Sequence, residues 1–276
     1  MSTTVKKLYK ILTRTIFPPK CLVCKSFLNP PEGDNDGFPE AVDLSASLQI
    51  QVERLMSEYL CRDCIDGLIA VESPLCSCCG MPFESRHGSD HRCGECSTSP
   101  KNFRIARAPL IYEQVFTEVI HCYKYNGKIQ LARPLGELLL MAFRLFWDKD
   151  SIDVVVPVPL HIKRLRERGF NQALLLTRYW QTITGQLPLD LSDLQVENDI
   201  LVRSIPTAPQ SGLGRKQRAA NIKGAFGLLD KAKIIDKRIL LVDDVYTTGA
   251  TVDECARLLV HHGAAHVDVL SLARAV

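Results

Sequence analysis

The thirteen residues from Ile239 to Thr251, ILLVDDVYTTGAT, hold the groups needed to bind a sugar phosphate. Four apolar residues form a buried-strand run, which Asp243 and Asp244 close. A small-residue loop follows, Thr247-Thr248-Gly249-Ala250-Thr251, and then a helical pattern from Val252 to Val260. The first-turn N–H groups of a helix have no intrahelical partners, and its dipole favours negative charge there. Gly249 permits close backbone approach, and Thr247, Thr248 and Thr251 add hydroxyl donors. A carboxylate pair beside such a cradle suits a ligand with phosphate at one end and vicinal hydroxyls nearby, as in a ribose 5-phosphate. An ordinary strand–turn–helix would explain a bare acid pair. The complete run favours the ligand site.

A second chemistry is carried by cysteine. Eight of eleven cysteines form four CxxC pairs: Cys21/Cys24, Cys61/Cys64, Cys76/Cys79 and Cys93/Cys96. The N-terminus lacks the continuous apolar core and cleavage site of a signal peptide, so a cytoplasmic protein is expected. In a reducing compartment this spacing argues for tetrahedral zinc rather than disulfides. A thioredoxin-type redox pair is the alternative, but the expected βαβ surroundings are missing. Sequential pairing gives two structural zinc sites, Cys21/Cys24/Cys61/Cys64 and Cys76/Cys79/Cys93/Cys96. It needs shorter closures at the second site than an interleaved cross-brace. Thirteen residues separate the pairs of the second site, whereas 36 separate Cys24 from Cys61 in the first. Cys78, His87 and His91 are possible substitute ligands, though the four pairs already supply eight sulfurs. Cys122 and Cys255 read as packed thiols.

The chain of 276 residues has room for two domains. Its 46% hydrophobic and 24% charged content are those of a soluble globular protein. No apolar run approaches membrane-spanning length. The net charge of +3 says little by itself, but its distribution is uneven. Residues 25–60 carry seven acids against Lys25 and Arg54, an acidic insertion. Residues 203–223 carry Arg203, Arg215, Lys216, Arg218 and Lys223 and no acid. Val5, Leu8, Leu12 and Ile16 mark a short basic amphipathic helix, expected to dock on the protein's own surface.

Beyond the cysteines the pattern alternates. A strand-like start at 104 leads into a helical pattern and a turn at 124–128. A helix from about Leu131 to Trp147 precedes a strand at Val154–Val156, ended by Pro157 and Pro159. Helix resumes through Leu174 to Thr184. A strand-like stretch, a basic loop at 207–223, a strand at 238–242, a helix at 251–262 and a final apolar strand complete the chain. Alternation of this kind means a mostly parallel α/β sheet, with ligands at the C-terminal ends of its strands. The domains are expected at 1–100, cysteine-rich and zinc-binding, and at 101–276, α/β.

The segment 239–251 resembles the binding motif for 5-phosphoribosyl-1-pyrophosphate (PRPP) of type I phosphoribosyltransferases. The order CLVC…CRDC…CSCCG…CGEC, HCYKYNGK, VPVPLHIKRLRERGFNQA, TAPQSGLGRKQRAANIKGAF and ILLVDDVYTTGAT is similar to that of the ComF family. Those proteins join a cysteine-rich zinc module to a phosphoribosyltransferase-type domain. The family includes competence proteins needed for uptake of transforming DNA and a branch named GntX. The acidic insertion between Cys24 and Cys61 departs from the pattern.

The resemblance implies that Asp243 and Asp244 hold the ribose hydroxyls and favour Mg²⁺ nearby through water, while Thr247, Thr248, Gly249, Ala250 and Thr251 hold the 5-phosphate. It implies that Pro157, Val158, Pro159 and Leu160, with His161, form the pyrophosphate loop, and that 209–221 closes over the site. Lys124, Lys128, Arg166 and Arg168 are candidates for neutralising pyrophosphate. The acceptor is not identified by any segment. The alternative function is a non-enzymatic module of DNA uptake that binds single-stranded DNA, because phosphate sites and DNA-backbone sites use the same residue types. Tyr123, Tyr125 and Phe170 could then stack on bases, although such residues are more often packing residues.

Overall fold

In the computed structural model, residues 18–28, 48–85, 87–180, 194–206 and 215–276 are described. The expected amphipathic N-terminal helix, most of the acidic insertion, the end of the helix expected to reach Thr184 and the glycine-containing part of the closing loop lie outside them.

Helices α1 (Leu48–Met56), α2 (Arg62–Asp66) and α3 (Gly94–Thr98) belong to the cysteine-rich region. Two short strands follow, β1 (Ala106–Arg107) and β2 (Leu110–Ile111), then α4 (Gln114–Tyr125) and α5 (Ala132–Phe146). Strand β3 (Val154–Pro157) leads to α6 (Ile162–Arg168) and α7 (Gln172–Thr177). Strands β4 (Gln195–Val196) and β5 (Leu201–Arg203), helix α8 (Arg215–Ile222) and strand β6 (Phe226–Leu228) come next. The chain ends with β7 (Arg238–Tyr246), α9 (Ala250–His261) and β8 (His266–Arg274).

The main sheet runs β1-β8-β7-β3-β4, with β2 also on β8, and every pairing in it is parallel. The expected α/β class is observed. Both faces of the sheet are covered, as parallel sheets require, and successive strand residues divide between two cores. Val155, Leu240, Val242, Leu270 and Leu272 pack with α5 and α7. Val154, Val156, Ile239, Leu241, Val267 and Val269 pack with α9. Helix α9 reaches the second core through Val252, Cys255, Ala256 and Leu259, one helical stripe. Helix α5 approaches α7 closely at Gly136, where a Cβ would lie 2.5 Å from Leu176 O. Any side chain there would push the two helices apart.

Several elements differ from expectation. Strand β7 extends past the acid pair to Tyr246, because β8 continues beside it: Asp243 faces Ser271, and Tyr246 faces Arg274. Helix α4 takes in Lys124 and Tyr125, which the sequence reading gave to a turn. Residues 215–222 are helical and anchored by buried Ile222. Strands β5 and β6 form a separate antiparallel pair outside the main sheet. No helix among the described residues is long and apolar enough to cross a membrane.

The cysteine-rich region shares both cores. Cys21 and Cys64 pack with α1, α4 and α5, whereas Cys76, Cys78, Cys79 and Cys96 pack on the α9 side. Ala106 N donates to Cys78 O at 2.7 Å.

Candidate functional site: an acid-lined cleft and two four-cysteine centres

A cleft of about 850 Å³ opens at the C-terminal ends of β3 and β7. Strand β7 delivers Asp243 and Asp244, and the turn to α9 adds Thr247, Gly249, Ala250 and Thr251. The loop after β3 supplies Val158, Pro159, Leu160 and His161. This loop is tied down by Asn171, whose Nδ2 donates to Val158 O at 3.1 Å while its Oδ1 accepts from Ala173 N at 3.0 Å and caps α7. His161 caps α6, with Nδ1 accepting from Lys163 N at 3.2 Å.

Gly249 is the N-cap of α9 and adopts a left-handed conformation, φ 75°. A Cβ there would run into the Tyr246 phenol. Both facts require glycine, and together they hold the first-turn amides of α9 at the cleft. Gly249→Ala is therefore expected to displace Tyr246 and the turn. It should raise backbone amide exchange over 247–251 and lower the melting temperature; an unchanged exchange pattern would contradict the packing described.

The two acids differ. Asp244 is 4% exposed, and its Oδ2 lies 2.8 Å from Lys124 Nζ at the end of α4. Burial lowers the Lys124 pKa, but the Asp244 carboxylate outweighs it and holds the ammonium above its ordinary value. Asp243 is half-buried, and its Oδ1 accepts from Asp244 N at 2.9 Å. Burial first and the neighbouring Asp244 charge second push the Asp243 carboxyl up to about 7. Both acids line the cleft, and of the two it is Asp244 that is ion-paired to Lys124.

Of the other residues singled out in the sequence, Arg168 lines the cleft, with its guanidinium 5.0 Å from the ring centroid of Tyr125. Thr248, Pro157, Lys128 and Arg166 are not in the lining. Thr248 Oγ1 instead accepts from Ala250 N at 3.4 Å, and Arg166 is exposed. Tyr123 is buried, donates to Gln172 O at 2.9 Å and packs on Phe170, which makes it a packing residue. The lining also includes Tyr112, Lys163, Arg164, Glu167, Gln172, Arg203 and Tyr246. Sequence reasoning noted the basic residues among these but had no signal for Tyr112 or Tyr246.

The eight paired cysteines gather as Cys21, Cys24, Cys61, Cys64 and as Cys76, Cys79, Cys93, Cys96, with ligand atoms in each group within 4.8 Å of one another. Zn–S bonds of about 2.3 Å in a tetrahedron imply sulfur separations of about 3.8 Å. Cys79 and Cys93 are 3.8 Å apart, and Cys24 and Cys61 are 3.5 Å apart. Backbone amides of Cys79 and Cys93 donate to Cys76 Sγ at 3.4 and 3.3 Å. Against the upward push of burial, such donors bring the Cys76 pKa down to about 6. These donor sets fit a thiophilic tetrahedral ion with no open position.

The fold and site define a class: an α/β domain with an acid-lined cleft at the strand ends, built together with a cysteine-rich region that holds two four-cysteine clusters. The chain belongs to the ComF family. Competence protein F of Haemophilus influenzae is 31% identical over 231 residues, covering 79% of this chain and 97% of that protein. The DNA utilization protein YhgH of Escherichia coli is 32% identical over 206 residues, covering 74% and 85%. Competence protein ComFC of Streptococcus pneumoniae is 29% identical over 217 residues, covering 74% and 89%. No family model matches the chain. Among solved structures, the allosteric regulatory enzyme of purine biosynthesis matches 51% of this chain and 25% of that chain at 18% identity, with a TM-score of 0.30, too slight a likeness to bear on the fold.

Proposed function

We propose that the cleft binds a phosphorylated ribose, with PRPP as the preferred form, and that the protein is a phosphoribosyltransferase linked to DNA uptake. One juxtaposition supports this above all. Asp243 and the left-handed Gly249 turn at the N-terminus of α9 line one cleft together with the Val158–His161 loop. The α9 amides with Thr247 and Thr251 hold the 5-phosphate. Asp243 accepts from the ribose diol, and Asp244 keeps Lys124 in place behind it. The loop after β3, with Arg168, receives pyrophosphate.

In the transfer, the acceptor forms a bond to the anomeric carbon as the bond to pyrophosphate oxygen breaks. The leaving group keeps the electron pair. Positioning and charge stabilisation of an oxocarbenium-like state do the work, so no protein nucleophile is needed. Carboxylate oxygens suit a hard cation, and Asp243 is the member of the pair that Lys124 does not engage; Mg²⁺ held there through water would neutralise charge on pyrophosphate. Both thiolate centres are assigned structural zinc, consistent with a reducing, cytoplasmic location.

The Asp243 carboxyl near 7 gives this reading a pH signature. The ionised acid binds the diol and the cation, so affinity should fall as pH drops below 7, by about tenfold between pH 8 and pH 6. Asp243→Asn should bind weakly at both values and lose the Asp243 contribution to this slope. A wild-type slope equal to that of the variant would refute the role of Asp243.

A second reading has support from charge. Lys163, Arg164, Arg168 and Arg203 line the same cleft, and the relatives are named for competence and DNA utilization. Single-stranded DNA would use these cations as phosphate partners, and its affinity would fall steeply with salt.

A further inference from the structure

Arg274 ends β8 and is 2% exposed. Its Nη2 donates to Cys79 Sγ at 3.5 Å, and its guanidinium sits 4.5 Å from the ring centroid of Tyr246. Nε and Nη1 have no hydrogen-bond partner among the described residues, and no carboxylate there forms an ion pair with it. A buried guanidinium is strongly unfavourable without a counter-charge. Cys79 belongs to the second thiolate centre, and four thiolates around one divalent cation leave a net double negative charge. Arg107 also approaches this region but donates to the carbonyls of Cys76, Ala106 and Ser77, not to sulfur.

We infer that Arg274 is the counter-ion of the Cys76/Cys79/Cys93/Cys96 metal centre and a positioning residue that ties it to the cleft turn through Tyr246. The path has three steps. The tetrathiolate holds the guanidinium. The guanidinium is stacked on Tyr246, its in-register neighbour on β7. The phenol of Tyr246 fills the space where a Cβ of Gly249 would lie, at the N-cap of α9. Among the described residues no such link reaches the first centre, whose Cys21 and Cys64 lie in the other core. Outer groups that donate to metal-bound ligands commonly set metal affinity. The inference goes beyond the reading of the cleft and does not depend on what the cleft binds.

The test uses the full-length, zinc-loaded protein and its Co²⁺-substituted form. Arg274→Met removes charge and donors at similar volume, and Arg274→Lys keeps the charge. In Arg274→Met, half the bound metal should pass to a chromogenic chelator at least tenfold faster than in wild type. The sulfur-to-cobalt charge-transfer band should shift, and amide exchange over 247–252 should rise at least tenfold. Arg274→Lys keeps the charge but loses the planar fork, so its metal release should fall between that of wild type and that of Arg274→Met. Residue 274 acting only as packing would lower the melting temperature of Arg274→Met while leaving release rate and band unchanged, which would overturn the inference. Release from Arg274→Lys as fast as from Arg274→Met, or unchanged exchange over 247–252, would do the same. If Arg274→Met does not fold, Arg274→Lys decides: a shifted band is expected, and an unshifted one refutes the contact to sulfur. A wild-type protein that fails to bind PRPP would refute the proposed cleft function and leave these readouts intact.

Discussion

Cys93→Ser should remove the ion from the second thiolate centre and take much of the chain's stability with it. Structural zinc contributes about 10–16 kcal/mol in small zinc peptides, and a whole domain is stable by only about 5–15 kcal/mol. The effect should not stay within the first hundred residues. Cys76, Cys79 and Cys96 share a core with Ile239, Leu241, Val267 and Val269 of the sheet. A Cβ on Gly80, in the same knuckle, would come 2.6 Å from Ala106 O, so the knuckle sits directly on β1. Metal analysis should fall from two zinc ions per chain to one, and the thermal transition should drop sharply. Two zinc ions in the variant with an unchanged transition would contradict the ligand assignment.

Lys124→Met should be the most damaging change in the cleft. It leaves Asp244 buried without its partner at 2.8 Å, and breaking a buried pair in this way costs about 3–5 kcal/mol. Lys124→Met combined with Asp244→Leu should recover much of that loss, since two apolar groups replace the two charges. Denaturant melts of both variants measure it. A Lys124→Met protein as stable as wild type, but with weakened PRPP binding, would show that the lysine meets ligand rather than Asp244. The same logic separates the two acids: Asp244→Asn should act on stability, and Asp243→Asn on binding.

The parts of the molecule legible in sequence were those with local grammar. The run ILLVDDVYTTGAT places the start of the strand, the turn and the helix correctly because each depends on near neighbours: buried β-branched and leucine residues, a left-handed glycine, a helical stripe on α9. The CxxC spacing likewise announces knuckles, which the structure assembles sequentially. What was not legible depends on long-range pairing. Nothing near Lys124 says that Asp244 lies beside it from 120 positions away, and the sequence reading put it in a turn; it named Lys124 a candidate for pyrophosphate, and Lys124 does line the cleft. Strand β7 runs past the acids only because β8 accompanies it, a fact held in neither segment alone. Nothing in the apolar stretch HVDVLSLARA singles out Arg274. Only the folded arrangement brings it against Cys79 and Tyr246.

Isothermal titration of the wild-type protein with PRPP and Mg²⁺ tests the central claim most directly. The proposed function predicts saturable binding of one PRPP per chain. It also predicts that Asp243→Asn weakens binding while leaving the melting temperature near that of wild type, and that ribose 5-phosphate competes. No heat of binding for PRPP under conditions where single-stranded oligonucleotide binds in a salt-dependent way would contradict it and turn the cleft into a nucleic-acid site.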